Sequence, residues 1–309
     1  MIKKIPLPIS GVMLGFAALG NLLQSYSESI RLLCGVISLI LGLLLICKII
    51  IYPSMIKKDM ENPIIASVSA TFPMAIMLLS TYIKPFIGQA AIYIWYLGIS
   101  LHLALIIYFT INFILKFDIK KVFTTYFIVY VGLAVASVSA PIFKKTNIGT
   151  VAFWFAFISC MILLVVVTYR YAKYKEIPKP VQPLFCIYTA PVSLCLAGYI
   201  QSLEKKSLLM IGFLAILSFV IYIIVLSKLL KYLKMPFFPS YSAFTFPFVI
   251  SALGMKMTMT YLNNIGYNIL FLKYIVLFQT IIATLLVIYT LYRFIIFLIP
   301  EKNSSALSQ

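Results

Sequence analysis

Few of the 309 residues carry side chains suited to acid–base, nucleophilic or metal chemistry, and those few are scattered. The single histidine, His102, sits in the middle of an apolar tract with no carboxylate near it in sequence. One imidazole alone does not make a metal site, so a packed, hydrogen-bonded role is expected. The five cysteines, Cys34, Cys47, Cys160, Cys186 and Cys195, are odd in number and lack a CxxC pair. That spacing suits neither a disulfide framework nor a zinc site, and they read as small buried hydrophobes. No HExxH, GxSxG, P-loop or paired-carboxylate pattern occurs, so neither an enzyme nor a metal or cofactor is expected. What remains is Lys256, a cation inside an apolar tract, and Phe246-Pro247, an aromatic next to a helix breaker.

The elements that must position these residues are long and greasy. Hydrophobic residues make up 63% of the chain and charged ones 10%, against about 25% charged in a soluble domain. Such a chain cannot coat a water-facing surface. The formal charge of +18 is spread through short gaps between apolar tracts, not clustered on a hydrophilic face, which argues against a nucleic-acid partner. Charge-free tracts run 5–27, 32–47, 62–83, 85–115, 122–143, 146–169, 180–203, 207–227, 235–255 and 274–292. Most reach the roughly 20 residues that cross a hydrocarbon core of about 30 Å. Lys48 can snorkel and extend the second tract, and the ninth continues past Lys256. The sequence therefore predicts an all-α polytopic membrane protein with ten spans in one domain over 1–309. Lys and Arg number 17 in the gaps on the N-terminal side, Lys302 included, and 6 on the other, which places both termini in the cytoplasm. The basic start resembles a signal peptide, but no A-x-A-like site follows and cleavage is not expected.

The spans alternate in character. Odd ones are rich in Gly, Pro, Ser, Thr and Ala; even ones are uniformly apolar, as in Leu39 to Leu45. Pro73, Pro191 and Pro247 lie well inside odd spans. A proline there frees a carbonyl that lipid cannot satisfy, so these helices belong inside the bundle. Stepping by about 58 residues from the prolines reaches Gly15 and Gly132, which implies five helical hairpins. Inner helices are expected near 8–25, 63–83, 122–142, 183–203 and 240–263, kinked around a central pore. Outer helices are expected near 30–52, 86–114, 147–171, 207–231 and 269–297.

These residues resemble a known family. Pro6-Leu7-Pro8-Ile9-Ser10-Gly11 followed by Leu14 to Gly20, Thr71-Phe72-Pro73-Met74, Thr189-Ala190-Pro191 and Ala243-Phe244-Thr245-Phe246-Pro247 are similar to motifs of the tellurite-resistance/dicarboxylate transporter family. That family contains the slow anion channel of plant guard cells and bacterial TehA. The resemblance implies a homotrimer in a bacterial inner membrane, with a pore in each subunit gated by Phe246. It implies a constriction at Val12, Phe72, Ile128, Ala190 and Phe246, and breakers at Gly11, Gly15, Pro73, Gly132, Pro191 and Pro247. The family's proline near Val129 is missing, with Gly132 in its stead, and so is one near Met13.

No Asp or Glu lies inside an odd span, whereas coupled transporters embed carboxylates to carry an ion. The expected function is a passive anion channel of the TehA and slow-anion-channel type. The alternative is a coupled transporter of C4-dicarboxylate, sulfite or tellurite oxyanions. Lys256, about 15 Å along the helix from Phe246, either attracts anions at the outer mouth or snorkels to headgroups.

Overall fold

The computed structural model describes residues 2–299. Lys302 and the rest of the C-terminal tail lie outside the described residues. The described chain is helical throughout, with no strand. The helices are α1 (Ile9–Leu23), α2 (Glu28–Ile51), α3 (Pro53–Met60), α4 (Pro63–Ser69), α5 (Thr71–Ile87), α6 (Ala91–Phe109), α7 (Tyr126–Tyr130), α8 (Ala134–Ser139), α9 (Thr146–Lys173), α10 (Ala190–Ser202), α11 (Leu208–Leu233), α12 (Phe246–Asn264) and α13 (Leu270–Leu298). Tight 3-10 turns fill Val131–Leu133, Ala140–Phe143, Lys179–Thr189 and Pro239–Phe244.

Two layers result. In the inner layer α1 packs on α5, α5 on α8, α8 on α10, α10 on α12, and α12 back on α1, which closes a ring. Each outer helix sits over a seam of that ring. Thus α2 covers α1 and α5, α6 covers α5 and α7, α9 covers α8 and α10, α11 covers α10 and α12, and α13 covers α12 and α1. Burial follows composition: 89% of the Lys179–Ser202 stretch is buried, against 28% of α11 and of α13. The outer helices turn Leu33, Leu43, Val165, Ile216 and Leu285 outward. In water such a surface would aggregate; facing acyl chains, it is the solvated face.

Seven helical stretches are long and apolar enough to cross a membrane. One of them, Pro63–Ile114, turns back on itself: Gly88, at φ 61°, reverses the chain so that α6 packs along α5. Helices α1, at 15 residues, and α12 fall outside those seven. The chain is a multi-pass membrane protein.

The prolines act differently from the expected mid-helix kinks. Pro191 and Pro247 occupy the first turn of α10 and α12, and Pro73 is the third residue of α5. In a first turn the missing N–H has no intrahelical partner to lose, so proline starts a helix there without cost. The inner strands of chain are thus broken, not bent: 3-10 backbone gives way to α-helix at Ala190 and Phe246, and α4 gives way to α5 at Ala70. Hydroxyls meet the carbonyls around these breaks, as lipid-buried backbone requires. Ser251 Oγ donates to Thr189 O at 3.1 Å and Ser193 Oγ to the same oxygen at 2.7 Å. Thr71 Oγ1 reaches Val68 O at 2.7 Å. His102 is wholly buried; its Nε2–H donates to Val129 O at 2.9 Å, beside the 3-10 turn that holds Gly132.

Candidate functional site

Four cavities follow one another along the ring's axis. At the end that carries the N-terminus lies a space of about 440 Å³, bordered by Lys3, Lys4, Lys48 and Asp59. Next comes a cavity of only about 40 Å³, walled almost wholly by apolar groups from all five inner segments. Val68, Leu184 and Ser242 border both of these. Beyond it lies a cavity of about 190 Å³ with Asn21, Gln24, Arg31, Thr81, Ser139 and Gln201 on its wall. This shares Asn21, Gln24 and Gln201 with a last, open space of about 460 Å³ that Lys206 and Lys256 also border.

Phe246 stands where the smallest of these cavities meets the next. Together with Leu194 it borders both the 40 Å³ and the 190 Å³ cavities, and its side chain is buried. The backbone holds it there for a local reason. Phe246 opens α12 directly after the Pro239–Phe244 turn, and Thr245 between them is pinned to α1. Thr245 Oγ1 contacts Gly11 O at 2.8 Å and Ser242 O at 2.7 Å.

That pinning gives Gly11 and Gly15 a role other than the expected one. Neither breaks α1, which runs unbroken through both. They allow close approach instead. A Cβ on Gly11 would lie 2.9 Å from Ser242 Cβ, and one on Gly15 would lie 2.5 Å from Thr245 Cβ. The Gly15 contact cannot be relieved by a flexible chain end, because Thr245 is branched at that atom and Phe246 N lies 3.3 Å away. Gly15→Ala is therefore expected to push the Thr245 turn off α1. Melting temperature should fall by several degrees, as overpacking costs of about 1–3 kcal/mol imply. Anion leak should rise in the same preparation; unchanged melting would show that α1 can yield.

Of the five residues expected to form one constriction, three gather at the small cavity: Ile128, Ala190 and Phe246. Val12 and Phe72 do not. Val12 is wholly buried in helix packing, and Phe72 borders a lateral apolar cavity between α2, α3 and α6. Their preceding neighbours, Gly11 and Thr71, face the axis instead. A helix turns about 100° per residue, so a one-position offset moves a side chain off the axis. Gly132, Pro191 and Pro247 also border the small cavity.

Lys256 borders the outer mouth, but its ammonium is held by the protein and does not reach out to headgroups. Its Nζ donates to Leu22 O and to Ser25 Oγ, each at 2.6 Å, at the C-terminal end of α1. A cation there complements the helix dipole. The same side chain borders the open outer space and lies over Tyr26 at 5.0 Å.

Sequence reading missed Arg31 and the inward turn of Lys48. Arg31, 7% exposed, borders the 190 Å³ cavity directly beyond Phe246. Its Nη1 pairs with Glu28 Oε1 at 2.6 Å, its Nε donates to Asn21 Oδ1 at 3.2 Å, and it lies over Tyr82 at 4.4 Å. Lys48 is 3% exposed and donates to Ile5 O, pointing inward where a snorkel to headgroups was expected. In all, six basic side chains and one acid, Asp59, border the four cavities. Among the described residues no cluster of His, Cys, Asp or Glu could hold a metal ion.

No curated protein matches the sequence closely enough to serve as a named relative. The family model described as voltage-dependent anion channel (SLAC1) matches residues 5–295, nearly the whole chain. A closed ring of broken inner helices, an axial row of cavities whose charged lining residues are mainly cations, and a match of that extent lead to one assignment: the chain belongs to the voltage-dependent anion channel family, whose members are anion channels and transporters.

Proposed function

We propose that the protein is a passive anion channel that crosses the bilayer ten times, with the axial cavities as its path and Phe246 as its gate. The observation that carries this reading is the position of Phe246, whose ring stands between the 40 Å³ and 190 Å³ spaces. An apolar neck of that size excludes hydrated ions and dewets, which is a sufficient barrier without a charged plug. Basic groups on either side of the neck favour anions over cations. The charge bias of the gaps supports cytoplasmic termini, and the family resemblance a bacterial inner membrane.

Anion flux into vesicles holding the purified protein tests this, with chloride, nitrate, malate and sulfite compared. Flux down the anion gradient, indifferent to an imposed pH gradient, is the expected result. Uptake that requires the pH gradient would establish a coupled dicarboxylate or oxyanion transporter instead. The family resemblance further supports a homotrimer with one path per subunit. Mass measurement in detergent should give three chains per particle, and a stable single chain would refute that assembly.

A further inference from the structure

Lys48 is an anomaly as a structural residue. It lies in the last turn of α2, is 3% exposed, and its ammonium has the Ile5 carbonyl as acceptor. An ammonium offers three donors. No carboxylate pairs with it: the ion pairs among the described residues are Arg31–Glu28 and Lys121–Asp118. The opposing charge that acts on it, Asp59 on the wall of the same space, stands beyond ion-pair distance, and a buried charge so incompletely neutralised is costly.

The space that Lys48 borders leaves room for a further counter-charge. It measures about 440 Å³ and has Lys3 and Lys4 on its wall, so three cations stand against one acid, Asp59, which forms no ion pair among the described residues. Ser240 borders the same space, and its hydroxyl is buried without a hydrogen-bond partner. Ser240 belongs to the Pro239–Phe244 turn that leads into Phe246. Two residues with spare donor capacity, one charged and one neutral, thus border a basic cavity that shares Val68, Leu184 and Ser242 with the small apolar one.

We propose that Lys48 and Ser240 form a binding site for a small inorganic anion of the chloride class, at the mouth on the N-terminal side of the neck. The anion accepts a hydrogen bond from Lys48 Nζ and one from Ser240 Oγ, while Lys3 and Lys4 raise its local concentration. This deepens the channel reading and rests on it, since the site stations the permeating ion at the threshold of the neck. Occupancy also touches the turn that carries the gate.

Chloride binding to the purified protein is the test. It is read as the rise in melting temperature when chloride replaces gluconate at constant ionic strength. Lys48→Met keeps the aliphatic stem and should raise the half-saturating chloride concentration about tenfold or more, while Lys48→Arg should stay near the wild-type value. Ser240→Ala should shift it about threefold. Unchanged half-saturation in both Lys48→Met and Ser240→Ala overturns the site. Where Lys48→Met gives no folded protein, Ser240→Ala decides alone, by the same criterion. Flux in vesicles separates the two readings: a protein that binds chloride here but passes no anion refutes the channel, and one that conducts with binding unmoved in the variants refutes the site.

Discussion

Phe246→Ala should raise anion conductance by about tenfold or more, the effect of removing a barrier of a few RT from an apolar neck. Removing the ring merges the 40 Å³ and 190 Å³ cavities that it now separates. Leu194, the other residue at that junction, is left facing a gap that it cannot fill. The competing view is that Phe246 is ordinary core, since it is 5% exposed. A core phenylalanine cut to alanine costs about 3–5 kcal/mol because it leaves a void among well-packed neighbours. Here voids already lie on two sides of the ring, so fewer contacts are lost and the stability cost should fall below that range. Melting temperature and current on one preparation separate the views. A large drop in melting with no gain in current would end the gate reading. Phe246→Leu should fall between wild type and alanine in current, because a branched aliphatic chain narrows the neck without spanning it.

The alternation of greasy and small-residue tracts, with prolines at regular intervals, made the two-layer ring legible in the sequence. The tracts sort into an inner and an outer layer because hydropathy and breaker content are properties of whole segments. What stayed hidden depends on rotation about a helix axis. Val12 and Gly11 are neighbours, as are Phe72 and Thr71, yet the second of each pair borders the small cavity. One residue of phase cannot be read from composition, since small and large apolar side chains are equally acceptable on both faces of an inner helix. Gly11 and Gly15 looked like breakers for a related reason: a glycine that loosens a helix and one that admits a neighbour are the same residue in sequence. Only the 2.5 Å approach of Thr245 tells them apart.

Arg31 and Lys48 were hidden by the very step that found the spans. Dividing the chain at its charges treats a Lys or Arg as a boundary in water or, as for Lys48, as a side chain reaching toward it. For Arg170, Lys48 and Arg31 the boundary is real but the side chain turns inward, at 3%, 3% and 7% exposure. An inward cation at the end of a greasy tract leaves no trace in hydropathy. Its signal is the absence of a nearby partner of opposite sign, which for Arg31 is partly masked by Glu28 three residues earlier.

Arg31 and Glu28 should accordingly have opposite effects on permeation. The guanidinium borders the 190 Å³ cavity, whereas the Glu28 side chain is 52% exposed and does not border it. Water and salt screen the carboxylate more than they screen the arginine, so the net potential in the cavity is positive. Arg31→Gln removes that potential while keeping a donor toward the Thr81 carbonyl, now 3.4 Å from Nη2. Conductance at low salt should drop several-fold, by about 3–10 times. A bare charge at about 4 Å and an effective dielectric of about 20 is worth about 4 kcal/mol, and the paired Glu28 with solvent screening reduces this to about 1 kcal/mol. The drop should shrink as salt rises, and the reversal potential in a chloride gradient should move toward the cation side. Glu28→Gln frees the same guanidinium and should raise conductance by a smaller factor. A purely structural ion pair predicts something else: both variants lose melting temperature together, and neither moves the reversal potential. Arg31→Gln that folds, conducts and keeps the wild-type reversal potential would therefore assign anion preference to some other group along the path, with Lys256 and Lys206 at the outer space the next to replace.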